Sequence, residues 1–416
     1  MGIRRSGSSR ENEPEAPATE ESRFAVGRRD FLGISAASLL CTISAKDVPN
    51  MSSGDVQAID AAAASLKPPR SKLARRGKAA GKPFGWDPVD GYSTTDDESV
   101  AAESRVFAAP EPAEGGQVRE YWIQAVAAPW NPIPTGRDNW MGMPHRARRF
   151  MALMYQEMES GFAGPKALTD RNGEPILDAK GNQAYAQPQM PGPTLEAEVG
   201  DVFEVHFRNA DETFMQPVTM HPHGVRYTPD YDGIYLNEFT RVGGFIAPGE
   251  EFVYRWECLP TSVGAWPYHD HGPNHVLNTA RGLFGSIVIR EKGETPPDRE
   301  YFLHLHSLAP PITRLPQMLH AINGRSYASN TPTMRAKVGD KVAIHVFGTN
   351  SDFHTFHMHG HHWPDSGGVS VDSPTVGPSE TLSIRFTEDN PGRWLYHCHV
   401  ATHQDTGMAG WYLVEA

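Results

Sequence analysis

Near its C-terminal end the chain reads Tyr396-His397-Cys398-His399-Val-Ala-Thr-His403-Gln-Asp-Thr-Gly-Met408. On a strand, neighbouring side chains point to opposite faces. His397 and His399 would then face one way and the Cys398 thiolate the other, so one short segment can grip metal on both of its sides. Cys398, His403 and Met408 supply a thiolate, an imidazole and a thioether. One more histidine would complete the His₂Cys set with a weak axial Met that marks a blue-copper electron-transfer site. That histidine should come from His354-Thr-Phe-His357-Met-His359-Gly360, the other dense cluster in this half of the chain.

Two further clusters lie upstream, His221-Pro-His223-Gly224 and Tyr268-His269-Asp270-His271. The elements that must hold all of these read as half-buried strands. Phe203, Val205 and Phe207 alternate with polar neighbours, as do Phe252, Tyr254 and Trp256, the period of a sandwich strand. The second half repeats the first. Pro332-Thr-Met-Arg-Ala-Lys-Val-Gly-Asp340 copies Pro193-Thr-Leu-Glu-Ala-Glu-Val-Gly-Asp201, and Tyr396-His-Cys-His copies Tyr268-His-Asp-His. Two similar β-sandwich domains follow, at 118–293 and 298–416. In the alignment of the copies Cys398 falls on Asp270, His354 on Val218, His403 on His275 and Met408 on Ala280. The thiolate site therefore belongs to the second domain, with His275 a relic or a supporting donor.

At these clusters the chain resembles the multicopper oxidases, and most closely the bacterial two-domain small laccases. The resemblance runs from about Arg119 to Ala416. It implies an all-β fold of two cupredoxin-like Greek-key domains and four copper ions. His354, Cys398, His403 and Met408 would hold the type 1 copper, and His221 and His357 the type 2 copper. His223, His269, His271, His359, His397 and His399 would hold the type 3 pair. It further implies a homotrimer, with the cluster between a first domain and the second domain of a neighbour; an intrachain cluster is the alternative that the sequence leaves open. Asp232 would assist proton delivery to dioxygen, and Tyr227 would lend an electron. The expected activity is oxidation of phenols or aromatic amines, with dioxygen reduced to water. The alternatives are a metal-ion oxidase acting on cuprous, ferrous or manganous ions, and a copper carrier or storage protein. A copper nitrite reductase keeps its blue site in the first domain and fits less well.

The 416 residues carry a net charge of −12, which argues against nucleic acid and anionic membranes as partners. Of three cysteines, Cys398 is taken as a ligand and Cys258 reads as a buried structural thiol, so no disulfide framework is expected. Gly27-Arg28-Arg29-Asp30-Phe31-Leu32 before a short apolar run reads as a twin-arginine export signal over 1–45. The run is too short to span a membrane. An extracellular or cell-envelope protein is expected, with a flexible, disordered N-terminal arm over 46–117. An insertion over 129–190 interrupts the first domain. Within it 144–161 reads as a helix, with Met151, Met154 and Met158 along a packing face; a cuprous-ion relay is the second reading of that stripe. His304-Leu-His306 reads as surface or core strand, and His361 and His362 as neighbours of the cluster rather than ligands. The loop 361–375, with Trp363 and Asp365, is a candidate lip of the substrate site. Asp405 reads as a turn residue or a supporting neighbour of the metal ligands. His145, His206, His320 and His345 are given no role.

Overall fold

The structure is a computed structural model that describes residues 108–145 and 149–416. The expected export signal, and the arm up to residue 107, lie outside the described residues. No helix among the described residues is long and apolar enough to cross a membrane.

The first sandwich is built from β1 (Val118–Trp130), β2 (Phe150–Glu157), β3 (Leu195–Glu198), β4 (Val202–Asn209), β5 (His221–Pro222), β6 (Glu251–Glu257), β7 (Gly264–His269) and β8 (Phe284–Arg290), with helix α1 (His275–Arg281) between the last two. The second uses β9 (Arg299–Leu308), helix α2 (Pro310–Thr313), β10 (Leu319–Ile322), β11 (Met334–Lys337), β12 (Lys341–Gly348), β13 (His354–Met358), β14 (Trp363–Pro364), β15 (Ser370–Val371), β16 (Thr375–Val376), β17 (Thr381–Thr387), β18 (Gly392–Cys398), helix α3 (Ala401–Asp405) and β19 (Ala409–Glu415).

Sheet orders are β2-β1-β4-β6 and β3-β8-β7-β5 in the first, β10-β9-β12-β17 and β11-β19-β18-β13-β16 in the second, where β14 and β15 pair separately. The two halves share one pairing scheme. β1 runs parallel to β4 and β3 to β8, just as β9 runs parallel to β12 and β11 to β19. The remaining ladders of these four sheets are antiparallel. Each sandwich closes over the alternating apolar faces: Phe203, Val205, Phe207, Tyr254 and Trp256 in the first core, Val342, Ile344, Val346 and Ile384 in the second. Burying such side chains gives about 1.5–3 kcal/mol each.

The segment expected to be helical is β2, and the expectation is corrected. It pairs with β1 antiparallel over eight residues, from Ile123↔Glu157 to Trp130↔Phe150. Leu153 and Tyr155 point into the first core, while Phe150, Ala152 and Met154 point into a third apolar cluster with Phe284, Leu308, Leu319 and Tyr327. A strand buried on both faces shows a near-continuous apolar run rather than alternation, and that run simulated a helical stripe. Met154 and Met158 are buried in packing and Met151 is exposed, so the three do not form a line of sulfurs. The third cluster glues the sandwiches together, reinforced by Arg290 of β8 on Glu300 of β9, with Nη2–Oε2 at 2.6 Å.

The end of the expected arm is also docked. Pro110 is buried and Ala113 N–H donates to Gly200 O (2.9 Å) in the β3–β4 turn.

Candidate metal centres

Strand register assembles the thiolate site. β13 pairs with β18 so that Phe356 lies opposite Cys398 and His357 opposite His397. Cys398 Sγ lies 3.9 Å from His354 Nδ1 and 3.7 Å from His403 Nδ1, and the two nitrogens are 3.3 Å apart. A point equidistant from the three atoms lies about 2.1 Å from each, the length of a metal–imidazole bond. The donor set thus fits a single soft-to-borderline transition ion without rearrangement. Met408 is fully buried in the same core, and its carbonyl accepts the Cys398 N–H (3.1 Å). Thr355 N–H points at Sγ from 3.5 Å. Burial raises the Cys398 pKa and pulls His354 down to about 3. A neutral imidazole offers its lone pair, and a bound cation is what would take the place of the thiol proton.

The other face of β18 carries His397 and leads to His399. His359 Nε2 lies 3.2 Å from His397 Nε2, and the His357 ring sits 5.4 Å from both His397 and His399. The first domain has the same arrangement, with His221 opposite His269 in the β5–β7 pair. His223 Nε2 lies 3.1 Å from His269 Nε2, and the His221 ring is 5.0 Å from His271. Nitrogens about 3.3 Å apart span the edge of a tetrahedron with bonds of about 2.0 Å. The glycine after each pair lets the chain turn. Gly224 (φ +75°) and Gly360 (φ +71°) adopt left-handed backbone, and a Cβ at either would strike Trp266 or Trp394.

Hydrogen bonds settle which nitrogens are free. Carbonyl oxygens only accept, so Nδ1 carries the proton in His269 (to Asp270 O, 2.8 Å), His397 (to Cys398 O, 2.9 Å) and His357 (to Asp372 O, 2.8 Å). His221 Nδ1 likewise donates to Asp232 O (2.8 Å) and to its Oδ1 (2.9 Å). All four leave Nε2 for metal. Burial holds the neutral forms, lowering His269 to about 3 and His223, His271 and His397 to about 4.

The expected histidine and cysteine donors thus gather into three groups and not two. Among the described residues no ring contact or hydrogen bond joins the four histidines of β5, β7 and the 269–271 turn to the four of β13 and β18. The reason is topological. β7 packs against β12 and β17, which belong to one sheet of the second sandwich, whereas β13 and β18 belong to the other. Each group of four stands apart as a separate cluster.

Other residues singled out in the sequence also find their places. Tyr227 sits edge-on to His221 at 5.9 Å. His275 stacks on His271 (4.6 Å) in the place of the missing ligand. Asp270, standing where Cys398 stands, is buried and takes hydrogen bonds from Thr219 N (2.7 Å) and Asn278 Nδ2 (3.1 Å). His304 and His306 are fully buried on β9. Cys258 is a buried thiol pushed up to about 12 by burial. Trp363 is not part of a lip: it is buried against Phe356 in the second core. Asp365 caps its own turn through Gly367 N and Val369 N. Sequence reading missed three residues. His320 stacks on His403 (4.0 Å), Asp372 orients His357, and Glu388 Oε1 lies 3.2 Å from Nε2 of His361, whose Nδ1–H donates to His359 O (2.8 Å). Of these only Asp372 leaves a signal, as the counterpart of Asp232 after each His-x-His-Gly.

Comparison with known proteins agrees with this geometry. Two family profiles described as multicopper oxidase match residues 175–294 and 294–416. A probable nitrite reductase–hydroxylamine oxidoreductase fusion protein of Kuenenia stuttgartiensis is 31% identical over 248 residues, 55% of this chain and 28% of that protein. The human ferroxidase HEPHL1 is 26% identical over 356 residues, 72% of this chain and 30% of that protein. This chain spans under a third of the length of either relative. A crystal structure of a multicopper oxidase superposes with TM-score 0.54 at 21% identity, covering 74% of this chain and 93% of that one. Together with the repeated sandwich and its histidine and cysteine donors, these matches lead to one conclusion: the chain belongs to the multicopper oxidase family.

Proposed function

We propose that this chain is a laccase-like oxidase that holds four copper ions per cluster-plus-blue-site unit. It would couple one-electron oxidation of phenols or aromatic amines to reduction of dioxygen to water. The observation that carries the reading is the covalent adjacency of Cys398, in the thiolate site, to His397, in the β13–β18 half-cluster. Copper, when bound, supplies the one-electron redox steps and the reaction with dioxygen.

The protein's part is to fix donors and exclude alternatives. β18 links the two kinds of site through a single peptide, and the His397 Nδ1–H···O=C bond to Cys398 (2.9 Å) adds a short cut beside the covalent path. Asp232 fixes the tautomer of His221 and is partly open to solvent, so it can pass protons inward from water. Tyr227 has its pKa raised by burial and by the Asp232 charge; it is a neutral phenol poised beside His221 as a spare electron donor.

The two half-clusters, held by different sheets, support a ring of three copies in which each first domain meets the second domain of a neighbour. Such a heterologous, head-to-tail contact closes as a cyclic oligomer. Export by the twin-arginine route suits a protein that folds around metal before leaving the cell.

A metal-ion oxidase is the second reading, favoured by the similarity to a protein named a ferroxidase. Turnover of the copper-loaded protein with a phenol, an aromatic amine and Fe(II), Cu(I) or Mn(II), followed by dioxygen uptake, separates them. Cys398→Ser should abolish the intense visible colour and turnover while the other coppers stay bound. A variant that stays blue, or native protein that reoxidises without forming water, would overturn the oxidase reading and favour a copper carrier.

A further inference from the structure

The outer face of the β2-β1-β4-β6 sheet carries a different donor cluster. The parallel β1–β4 register sets Glu120 beside Glu204 and Trp122 beside His206. Side chains two apart on a strand share a face, so all four stand together. His206 Nε2 lies 3.2 Å from Glu120 Oε1 and 3.3 Å from Glu204 Oε1, and the three atoms lie within 4.8 Å of one another.

These are not ordinary hydrogen bonds. His345 and His361 each place Nε2 3.2 Å from a carboxylate oxygen and bond to it. His206 Nε2 has the same separation, is shut off from solvent, and forms no hydrogen bond. Both oxygens stand close enough to bond, yet neither meets the geometry of a hydrogen bond to this nitrogen. Distances near 3.3 Å are again the edge of a tetrahedral ligand set with bonds of about 2.0 Å.

The surroundings brace the donors. The Trp122 indole lies flat on the His206 ring (3.8 Å, 3°), and its Nε1–H donates to Glu120 Oε1 (3.0 Å). Arg255 Nη1 occupies Glu204 Oε2 (3.1 Å), which leaves Oε1 for the site. Supporting contacts of this kind orient metal ligands in built sites. Glu120 is half exposed, so a cation can enter from solvent and keep a water as its fourth ligand.

We propose that Glu120, Glu204 and His206 form a surface site for a divalent transition cation of the zinc type. One imidazole and two carboxylates suit such an ion. The site lies on the sheet opposite the one that bears His221 and His269 and is independent of the copper centres. There the cation ties β1 to β4 at the outer wall of the first sandwich.

The test uses the full chain, fully loaded with copper, titrated with Zn²⁺ by calorimetry. One zinc per chain beyond the copper is expected. His206→Ala and the double variant Glu120→Gln/Glu204→Gln should each weaken it at least about tenfold, with copper content and colour unchanged. The site is refuted, and the cluster is an ion pair only, if the native protein takes up no stoichiometric zinc. It is refuted equally if these variants titrate like the native protein. Should His206→Ala fail to fold, Glu120→Gln, isosteric and half exposed, decides by the same criterion.

Discussion

His320 lies flat against His403, with ring centroids 4.0 Å apart and planes 18° from parallel. The stack is clamped. Thr406 O–H donates to Thr402 O (2.6 Å), so its Oγ1 accepts the His320 Nδ1–H (2.5 Å). The His320 N–H and Tyr327 N–H reach Thr406 O (3.1 Å) and Gly407 O (2.7 Å). The segment that supplies both His403, on α3, and Met408, just after it, is thus fastened to β10 and the turn after it. His320→Ala keeps every expected type 1 ligand but frees the segment. The visible band of the copper-loaded variant should shift, and copper should pass to a chelator about 10-fold faster. His320→Phe, which keeps the stack, should restore most of the difference. An unshifted band and unchanged release in the alanine variant would make the stack mere packing.

Separation of the half-clusters makes a complementation experiment decisive. A chain with His221→Ala and His223→Ala lacks the first half, and one with His357→Ala and His359→Ala lacks the second. Each alone should reduce no dioxygen. Coassembled in equal amounts in a ring of head-to-tail contacts, they should rebuild roughly a quarter of the sites. An intrachain cluster would give no recovery at all.

Asp232 donates no metal bond, yet its carboxylate and its own carbonyl both hold His221 Nδ1–H. Asp232→Ala should lower dioxygen-dependent turnover about 10- to 100-fold, the usual penalty for losing such a partner. Anaerobic bleaching of the blue colour by a reductant should keep its native rate, because that step uses the other side of β18. Equal loss in both assays would place Asp232 in general stability.

Acid should loosen the contact between the sandwiches. Burial alone would raise the Glu300 pKa, but hydrogen bonds from His345 and Arg290 and the Arg290 charge bring it to about 2. A carboxylate depressed in the folded state contributes stability that is complete above its unfolded value, near 4.5, and is lost as pH falls toward 2. Glu300→Gln leaves buried Arg290 with only the half-exposed Glu196, 3.3 Å away, as a charged partner, and should destabilise the protein by up to about 3 kcal/mol at neutral pH. Denaturant unfolding at a series of pH values should show this gap closing below about pH 4.5. A gap independent of pH would mean that the charge is not what matters.

Much of the chemistry was legible because it is local. Cys398 is bonded to both neighbours, and His403 and Met408 follow within one short segment, so their grouping needs no knowledge of the rest of the fold. The repeat added the pairing of His221 with His357, and it confined the thiolate to the second half. Where a strand is buried on both faces this locality fails. β2 carries no alternation to read, and its methionines at 151 and 154, with Met158 just beyond it, therefore imitated a helical stripe.

By itself, then, the sequence determined the donor types, their strand periodicity and the duplicated sandwich, since each is written in spacings of a few residues. Tertiary structure alone decided that Phe356 meets Cys398, that His320 covers His403, that His206 faces two carboxylates, and that the two sets of four histidines are held by different sheets. Those relationships come from ladder register and from how one sandwich packs on the next. Both are set by the summed burial of many distant side chains, and no local spacing encodes them.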